Sequence, residues 1–210
     1  MLGAMLLLPG LDGTATLWGP LLEALGARDV ELFRYAPEHA SYATLLAAIP
    51  PRSASMIVVA ESFGGPLAIR LAAREPNVTR LVLIASFAVG PPLARLAPLL
   101  RIAPRPPHFA LRLAMLGGDA DAERVAELDA AIRSVPRRTL AARVAELARS
   151  DVRQELRALR IPITWIVASR DRLVPQPVDV PGEIVRIEGP HLLAQARPNE
   201  VAAVLRRSLG

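Results

Sequence analysis

The sequence predicts an α/β fold: a mostly parallel six-stranded sheet sandwiched by helices, with a helical insertion after the fourth strand. Three observations predict it. Short β-type runs alternate with segments of helical period, most of those runs are apolar on both faces, and one long stretch, from Pro91 to about Asp151, contains no strand pattern at all. Strands with no polar face belong to a parallel sheet, which must be covered on both sides by the helices that connect its strands.

The elements follow in order. Met5 to Leu8 forms the first strand and stops at the Pro9-Gly10 turn pair. Leu17 to Leu25 has helical period, Val30 to Tyr35 is the second strand, and Tyr42 to Ala48 is a second helix. The third strand, Met56 to Ala60, leads into a helix over Phe63 to Arg74, and Val78 to Ala85 is the fourth strand. The insertion then opens with Pro91, Pro92, Pro98, Pro104, Pro106 and Pro107 and continues as Ala/Arg/Glu/Leu sequence that favours helix. Ile163 to Ala168 and Glu183 to Ile187 are the last two strands, and a helix over Pro198 to Ser208 closes the chain. With no internal repeat and no low-complexity linker, residues 1–210 are expected to form one domain, with residues 91–151 a helical lid within it.

Composition bounds the function. At 210 residues and 52% hydrophobic content the chain can bury one sizeable core, and it is far too apolar for a disordered chain. Arg, Asp, Pro or Gly interrupts every apolar run well short of the roughly 20 residues that span a bilayer. The start, MLGAMLLLPG, lacks a basic leader and a spacer, so its apolar residues are expected to be a strand and the protein cytoplasmic. The absence of cysteine excludes disulfides, a thiol nucleophile and zinc sites built on cysteine. All 25 basic residues are arginine, yet the net charge is only +5, which argues against a nucleic-acid partner.

The chemistry is sought where parallel α/β sheets place it, in the loops at the carboxyl ends of the strands. Ser62 lies there, just beyond the third strand, in "VVAESFGGPLAIR", with Ala60 two residues before it and Gly64 and Gly65 after it. A nucleophile on a sharp strand-to-helix turn needs small neighbours of this kind; a serine that merely caps the helix is the plainer alternative. A serine nucleophile needs a base, and the base an orienting acid. Of the three histidines, His39 follows the second strand and His108 lies in the Pro-rich segment, whereas His191, in "RIEGPHLLAQARPNEV", follows the sixth strand. Asp171, in "WIVASRDRLVP", follows the fifth strand; Asp179 and then Asp151 are the other candidate acids. The chain order Ser62, Asp171, His191 is that of a Ser-Asp-His triad on this architecture. For the oxyanion, the turn after the first strand offers the backbone N–H of Leu11, and the start of the helix after Ser62 offers that of Phe63. A plain turn or an anion-binding loop for a phosphate is the simpler alternative there, and a nucleotide site is not expected, since neither GxxxxGK[ST] nor GxGxxG follows the strand.

The segments "LLLPGLDGT", "AESFGG", "SRDRLVP" and "GPHLLAQ" together resemble the α/β-hydrolase superfamily, and within it small serine esterases with a helical lid, including methyl esterases that act on pimeloyl groups attached to an acyl carrier protein. The resemblance spans nearly the whole chain and is least specific in the lid. It implies Ser62 as nucleophile, His191 as base, Asp171 as acid, and Leu11 and Phe63 at the oxyanion hole, with no metal or cofactor. The chain departs from the pattern in three ways. Pro9-Gly10 stands where many members have His-Gly, Ala60 replaces the first elbow glycine, and the sheet begins at the third of the usual eight strands, without the N-terminal hairpin. The expected activity is hydrolysis of a carboxylic ester with a small or medium acyl group. Pocket walls are expected from Leu11, Asp12, Phe63, Phe87, Phe109, Leu113 and Met115. A second reading is an esterase or thioesterase for an acyl carrier protein, because residues 91–118 carry Arg95, Arg101, Arg105 and Arg112 and no acidic residue, a surface an acidic carrier helix would fit. A catalytically silent binding module on the same fold is the third.

Overall fold

The computed structural model describes residues 4–26, 29–92, 112–118 and 120–209. Six parallel strands form one sheet: β1 (Ala4–Leu8), β2 (Val30–Leu32), β3 (Met56–Glu61), β4 (Val78–Ile84), β5 (Ile163–Ala168) and β6 (Glu183–Ile187). Their spatial order is β2-β1-β3-β4-β5-β6. The chain therefore runs outward from β1 to β2, then crosses back to β3 and continues the other way. That reversal lies between β1 and β3, and in open α/β sheets the loops at the carboxyl ends of the strands beside such a reversal are where binding sites are built. Register aligns this edge: Leu8 pairs with Ala60, Glu61 with Ile84, Ile84 with Ile166, and Ala168 with Ile187.

Both faces are covered, as apolar strands require. On one side Leu6, Leu8, Val58, Leu81, Leu83 and Trp165 pack beneath α2 (Tyr42–Ala48) and α3 (Gly64–Arg74). On the other, Met5, Leu7, Val59, Val82, Ile84 and Ile166 pack against α1 (Gly19–Leu25) and the C-terminal helices. Those are α7 (Leu193–Ala196) and α8 (Pro198–Leu209). Between β4 and β5 the described residues form a π-helical turn (Arg112–Leu116), α4 (Ala122–Ser134), α5 (Arg137–Arg149) and α6 (Arg153–Ala158). The ends of this segment meet. Gly90 N–H donates to Ser150 O at 2.8 Å and Val152 N–H to Ala88 O at 2.9 Å. Gly90 is required there, since a Cβ would stand 2.1 Å from Leu147 O.

Two elements differ from expectation. The second strand ends at Leu32 and not at Tyr35, because Tyr35 turns inward, its N–H bonding to Gly13 O and its hydroxyl to Pro9 O. The first helix divides into a 3-10 turn (Thr16–Trp18) and α1, since Pro20 has no N–H to donate to Thr16 O and Gly19 supplies that bond instead. The sheet is parallel at every pairing among the described residues. Among those residues no helix is long and apolar enough to cross a membrane.

Candidate active site

Ser62 occupies a strained bend. Its φ is +52°, a left-handed conformation that a side chain resists, and the surroundings hold it there. Its N–H donates to Ile84 O at 2.9 Å, and its carbonyl accepts from Gly65 N–H at 3.0 Å and from the Ser86 hydroxyl at 2.9 Å. The glycines explain the spacing. A Cβ on Gly64 would lie 2.7 Å from both Leu8 O and Pro9 O, and one on Gly65 would lie 1.7 Å from Ser86 Oγ. Ala60 in place of the first elbow glycine fits without strain, fully buried within β3.

The three residues singled out from sequence come together. Ser62 Oγ and His191 Nε2 are 2.8 Å apart, and His191 Nδ1 is 2.7 Å from Asp171 Oδ2. In the tautomer with its proton on Nδ1, the imidazole donates to the carboxylate and accepts from the serine hydroxyl. The other carboxylate oxygen of Asp171 accepts from the N–H groups of Leu173 and Val174 at 2.8 and 3.0 Å, so the carboxylate cannot rotate freely. The side chains of His191 and Asp171 are 2% and 3% exposed, which strengthens their interaction by excluding water. The alternative acids stand apart from this chain of bonds: Asp151 pairs with Arg153, and Asp179 lies in the loop before β6. The other two histidines are elsewhere, His39 after β2 and His108 outside the described residues.

The turn after β1 faces Ser62, for a Cβ on Gly10 would stand 3.9 Å from Ser62 Cβ. Every carbonyl of that turn is occupied. Tyr35 hydroxyl donates to Pro9 O, Gly13 N–H to Gly10 O, Arg143 to Leu11 O and Asp12 O, and Tyr35 N–H to Gly13 O. The N–H groups of Leu11 and Phe63, by contrast, have no hydrogen-bond partner among the described residues. Two donors without a partner among the described residues, one next to Ser62 in the chain and one in the turn that faces it, are the chemistry an oxyanion would need.

The expected pocket walls fare less evenly. Phe63 is fully buried, stacked on Tyr42 with ring centroids 4.7 Å apart and edge-on to Tyr35, so its ring belongs to the core and not to a pocket. Asp12 is buried with its carboxylate turned onto the N–H and hydroxyl of Thr14, an Asx turn. Leu11 packs partly against the core. Phe87 borders a groove of about 450 Å³ with Leu156, Pro175 and Val180, a cavity that does not include Ser62 or His191. Leu113 is half-exposed, and Met115 accepts through its carbonyl from Leu192 N–H at 2.8 Å, tying the inserted segment to the residue after His191. Phe109 lies outside the described residues, as do Arg95, Arg101 and Arg105.

Two residues carry weight that their sequence context did not announce. Glu61, immediately before Ser62, is 2% exposed, and its carboxylate accepts from Ala194 N–H at 3.2 Å and Gln195 Nε2 at 3.0 Å. Burial raises its pKa to about 7 against the opposing pull of those bonds and of His191. The available signal is a carboxylate closing an otherwise apolar strand. Arg143 is the other; it is fully buried, on the stripe Thr139, Arg143, Leu147 by which α5 packs inward. An arginine at i+4 and i−4 from buried residues is the pattern of an inward-facing cation. Among the described residues no His, Asp and Glu side chains are grouped as a metal ion would need.

Comparison with known proteins adds the fold. No protein-family model matches the chain, and no curated protein matches its sequence. Among solved structures it is similar to a hydrolase from Pseudomonas aeruginosa PA01 (TM-score 0.80, 20% identity, covering 99% of this chain and 90% of that one). It is similar to a lipase-esterase related protein from Clostridium acetobutylicum ATCC 824 (TM-score 0.78, 14% identity, 97% and 93% covered). An enol-lactonase from Burkholderia xenovorans LB400 matches with a TM-score of 0.77 at 17% identity over 99% of this chain and 91% of that one. At these identities the likeness is one of fold.

Proposed function

We propose that this protein, built on the α/β-hydrolase fold that it shares with those structures, is a serine hydrolase that cleaves a carboxylic ester through an acyl-enzyme. One observation carries the reading: the unbroken path Ser62 Oγ to His191 Nε2 to Asp171, at 2.8 and 2.7 Å, on a strained elbow. His191 takes the proton of Ser62 as its oxygen attacks the ester carbonyl, and Asp171 holds the imidazole in the required tautomer and stabilises the imidazolium. The N–H groups of Leu11 and Phe63 stabilise the oxyanion, a contribution of about 3 kcal/mol per donor in such sites. His191 then protonates the leaving alcohol, and water repeats the sequence on the acyl-enzyme.

The names of two structural neighbours, an enol-lactonase and a lipase-esterase related protein, agree with ester cleavage, and with a deformylase also among the neighbours they support hydrolysis in general. The chain acts as one domain in which residues 91–151 form the lid, a reading supported by the meeting of Gly90 with Ser150 and of Ala88 with Val152. A carrier-linked acyl substrate is the second reading. It is favoured by the four arginines and absence of acidic residues across residues 91–118.

A panel of p-nitrophenyl esters and acyl thioesters tests the proposal on the purified protein and on Ser62→Ala. Hydrolysis by the parent and a loss of at least about a thousandfold in the variant is the expected result, since a serine nucleophile normally contributes more than that. Retention of activity within about tenfold removes Ser62 from the role.

A further inference from the structure

We infer that Arg143, on helix α5 of the inserted segment, is a positioning residue for the oxyanion hole: it fixes the backbone of the turn after β1 so that the Leu11 N–H is presented to the oxygen that develops charge. The inference rests on the hydrolase reading above and goes beyond it, because Arg143 touches neither the serine nor the histidine.

Its bonds select the role. The guanidinium donates to four carbonyls: Nη1 to Leu11 O and Asp12 O, each at 3.0 Å, Nε to His39 O at 3.0 Å, and Nη2 to Ala36 O at 3.2 Å. It also lies 5.3 Å from the centre of the Tyr35 ring. A fully buried cation is costly, and here its hydrogen bonds go to backbone carbonyls of two loops, with the nearby Asp12 carboxylate adding charge attraction but no hydrogen bond to it. A planar fork with five N–H donors can span both loops; a lysine ammonium cannot.

The consequence for Leu11 is geometric. In a trans peptide the C=O and the following N–H point in opposite directions. Gly10 O is drawn into the turn by Gly13 N–H at 3.2 Å, so the Leu11 N–H of the same peptide points out of it. Arg143 then holds the next two carbonyls, Leu11 O and Asp12 O, and Tyr35 holds Pro9 O on the other side at 2.8 Å. Flipping the Gly10–Leu11 peptide would break the bond from Gly13 N–H to Gly10 O, and the flanking carbonyls that would have to adjust, Pro9 O and Leu11 O, are held by Tyr35 and Arg143. Preorganised donors of this kind accelerate reaction because they need no reorientation when charge appears.

The test uses the full chain and three proteins: the parent, Arg143→Lys and Tyr35→Phe, the last removing one bond from the opposite side of the same turn. Active sites are titrated with a fluorophosphonate so that rates refer to folded, competent enzyme. Two quantities are then read: kcat and KM for p-nitrophenyl butyrate, and the inhibition constant of an alkyl trifluoromethyl ketone, whose adduct with serine carries an oxyanion. Arg143→Lys is expected to lower kcat per titrated site by about 10- to 100-fold, a part of the roughly 10²–10³ that losing a whole donor costs. The ketone should weaken by the same factor while KM moves less than about threefold, the pattern of an interaction made only in the transition state. Tyr35→Phe should shift both in the same direction and by less. A purely structural role lowers the melting temperature and the titrated fraction but leaves kcat per site and ketone affinity unchanged. That outcome in both variants, or in Tyr35→Phe alone should Arg143→Lys not fold, overturns the inference while leaving the hydrolase reading standing. A folded parent that neither hydrolyses the ester nor is labelled at Ser62 overturns both.

Discussion

Asp171 and Glu61 are both carboxylates at the carboxyl edge of the sheet, and their surroundings set them different tasks. Asp171 receives two backbone N–H groups on one oxygen and the imidazole on the other. Asp171→Asn keeps the volume but presents an amide N–H where the ring needs an acceptor. The imidazole is then held in the wrong tautomer, and kcat should fall by about 10⁴, the loss that this change causes in serine proteases with the same three groups. Asp179→Asn, outside this chain of bonds, should retain kcat within about threefold; the reverse order would reassign the acid. Glu61 is a test of burial. Its pKa in the folded protein, about 7, exceeds the ordinary 4.5, so the folded state holds the proton more tightly than the unfolded one. The stabilisation is complete below pH 4.5 and is lost as pH rises toward 7, a change on the order of 3 kcal/mol. Glu61→Gln has no proton to lose. Its melting temperature relative to the parent should therefore rise between pH 5 and pH 8, as thermal denaturation at a series of pH values would register; parallel profiles would mean that Glu61 is ionised throughout.

At the scale of elements, the elbow between β3 and α3 depends on backbone approach more than on side chains. Gly64→Ala drives a Cβ to within 2.7 Å of Leu8 O and Pro9 O, atoms that cannot move without disturbing β1 and the turn beside Ser62. A loss on the order of 2 kcal/mol in stability, together with reduced kcat, is expected. Gly19→Ala makes the contrast, since nothing stands within 4 Å and the residue opens α1, so stability should be unchanged or higher by about 0.5 kcal/mol. Equal denaturation midpoints for the two variants would refute the close-approach account. The inserted segment carries the carrier reading. Reversing Arg101 and Arg105 to Glu should raise KM for an acyl carrier substrate, and added salt should act in the same direction because charge attraction between two proteins is screened beyond roughly 10 Å at about 0.1 M. Hydrolysis of a methyl ester of the same acyl group should hardly change, and parallel effects on the two substrates would leave a small-molecule esterase.

For the whole molecule, the positions of Ser62, Asp171 and His191 are legible in the sequence because each follows a strand whose apolar run is easily seen, and a parallel sheet gathers such loops at one edge. The strand order is not legible. Nothing local to β1 or β3 records that the chain reverses between them, yet this strand order sets the turn that carries Leu11 against Ser62. Tyr35 reads as strand because its aromatic, β-favouring character is indistinguishable in sequence from that of a residue turned inward to bond Pro9 O. Phe63 reads as a pocket wall for a similar reason: apolar surface suits an acyl chain and a core equally, and only its stacking on Tyr42 decides. Arg143 lies 132 positions from Leu11, a partnership that no local pattern contains.

In the proposed hydrolase Ser62 is the nucleophile and His191 activates it. Labelling the parent, Ser62→Ala and His191→Ala with a fluorophosphonate, followed by peptide mass mapping, tests this assignment most directly, because the reagent reports the activated oxygen without requiring the natural substrate. One phosphonylated serine, Ser62, is expected in the parent, with no labelling in Ser62→Ala and labelling slowed by at least about a thousandfold in His191→Ala. Label on Ser86 or Ser169, or labelling of Ser62 that is indifferent to the loss of His191, would contradict it.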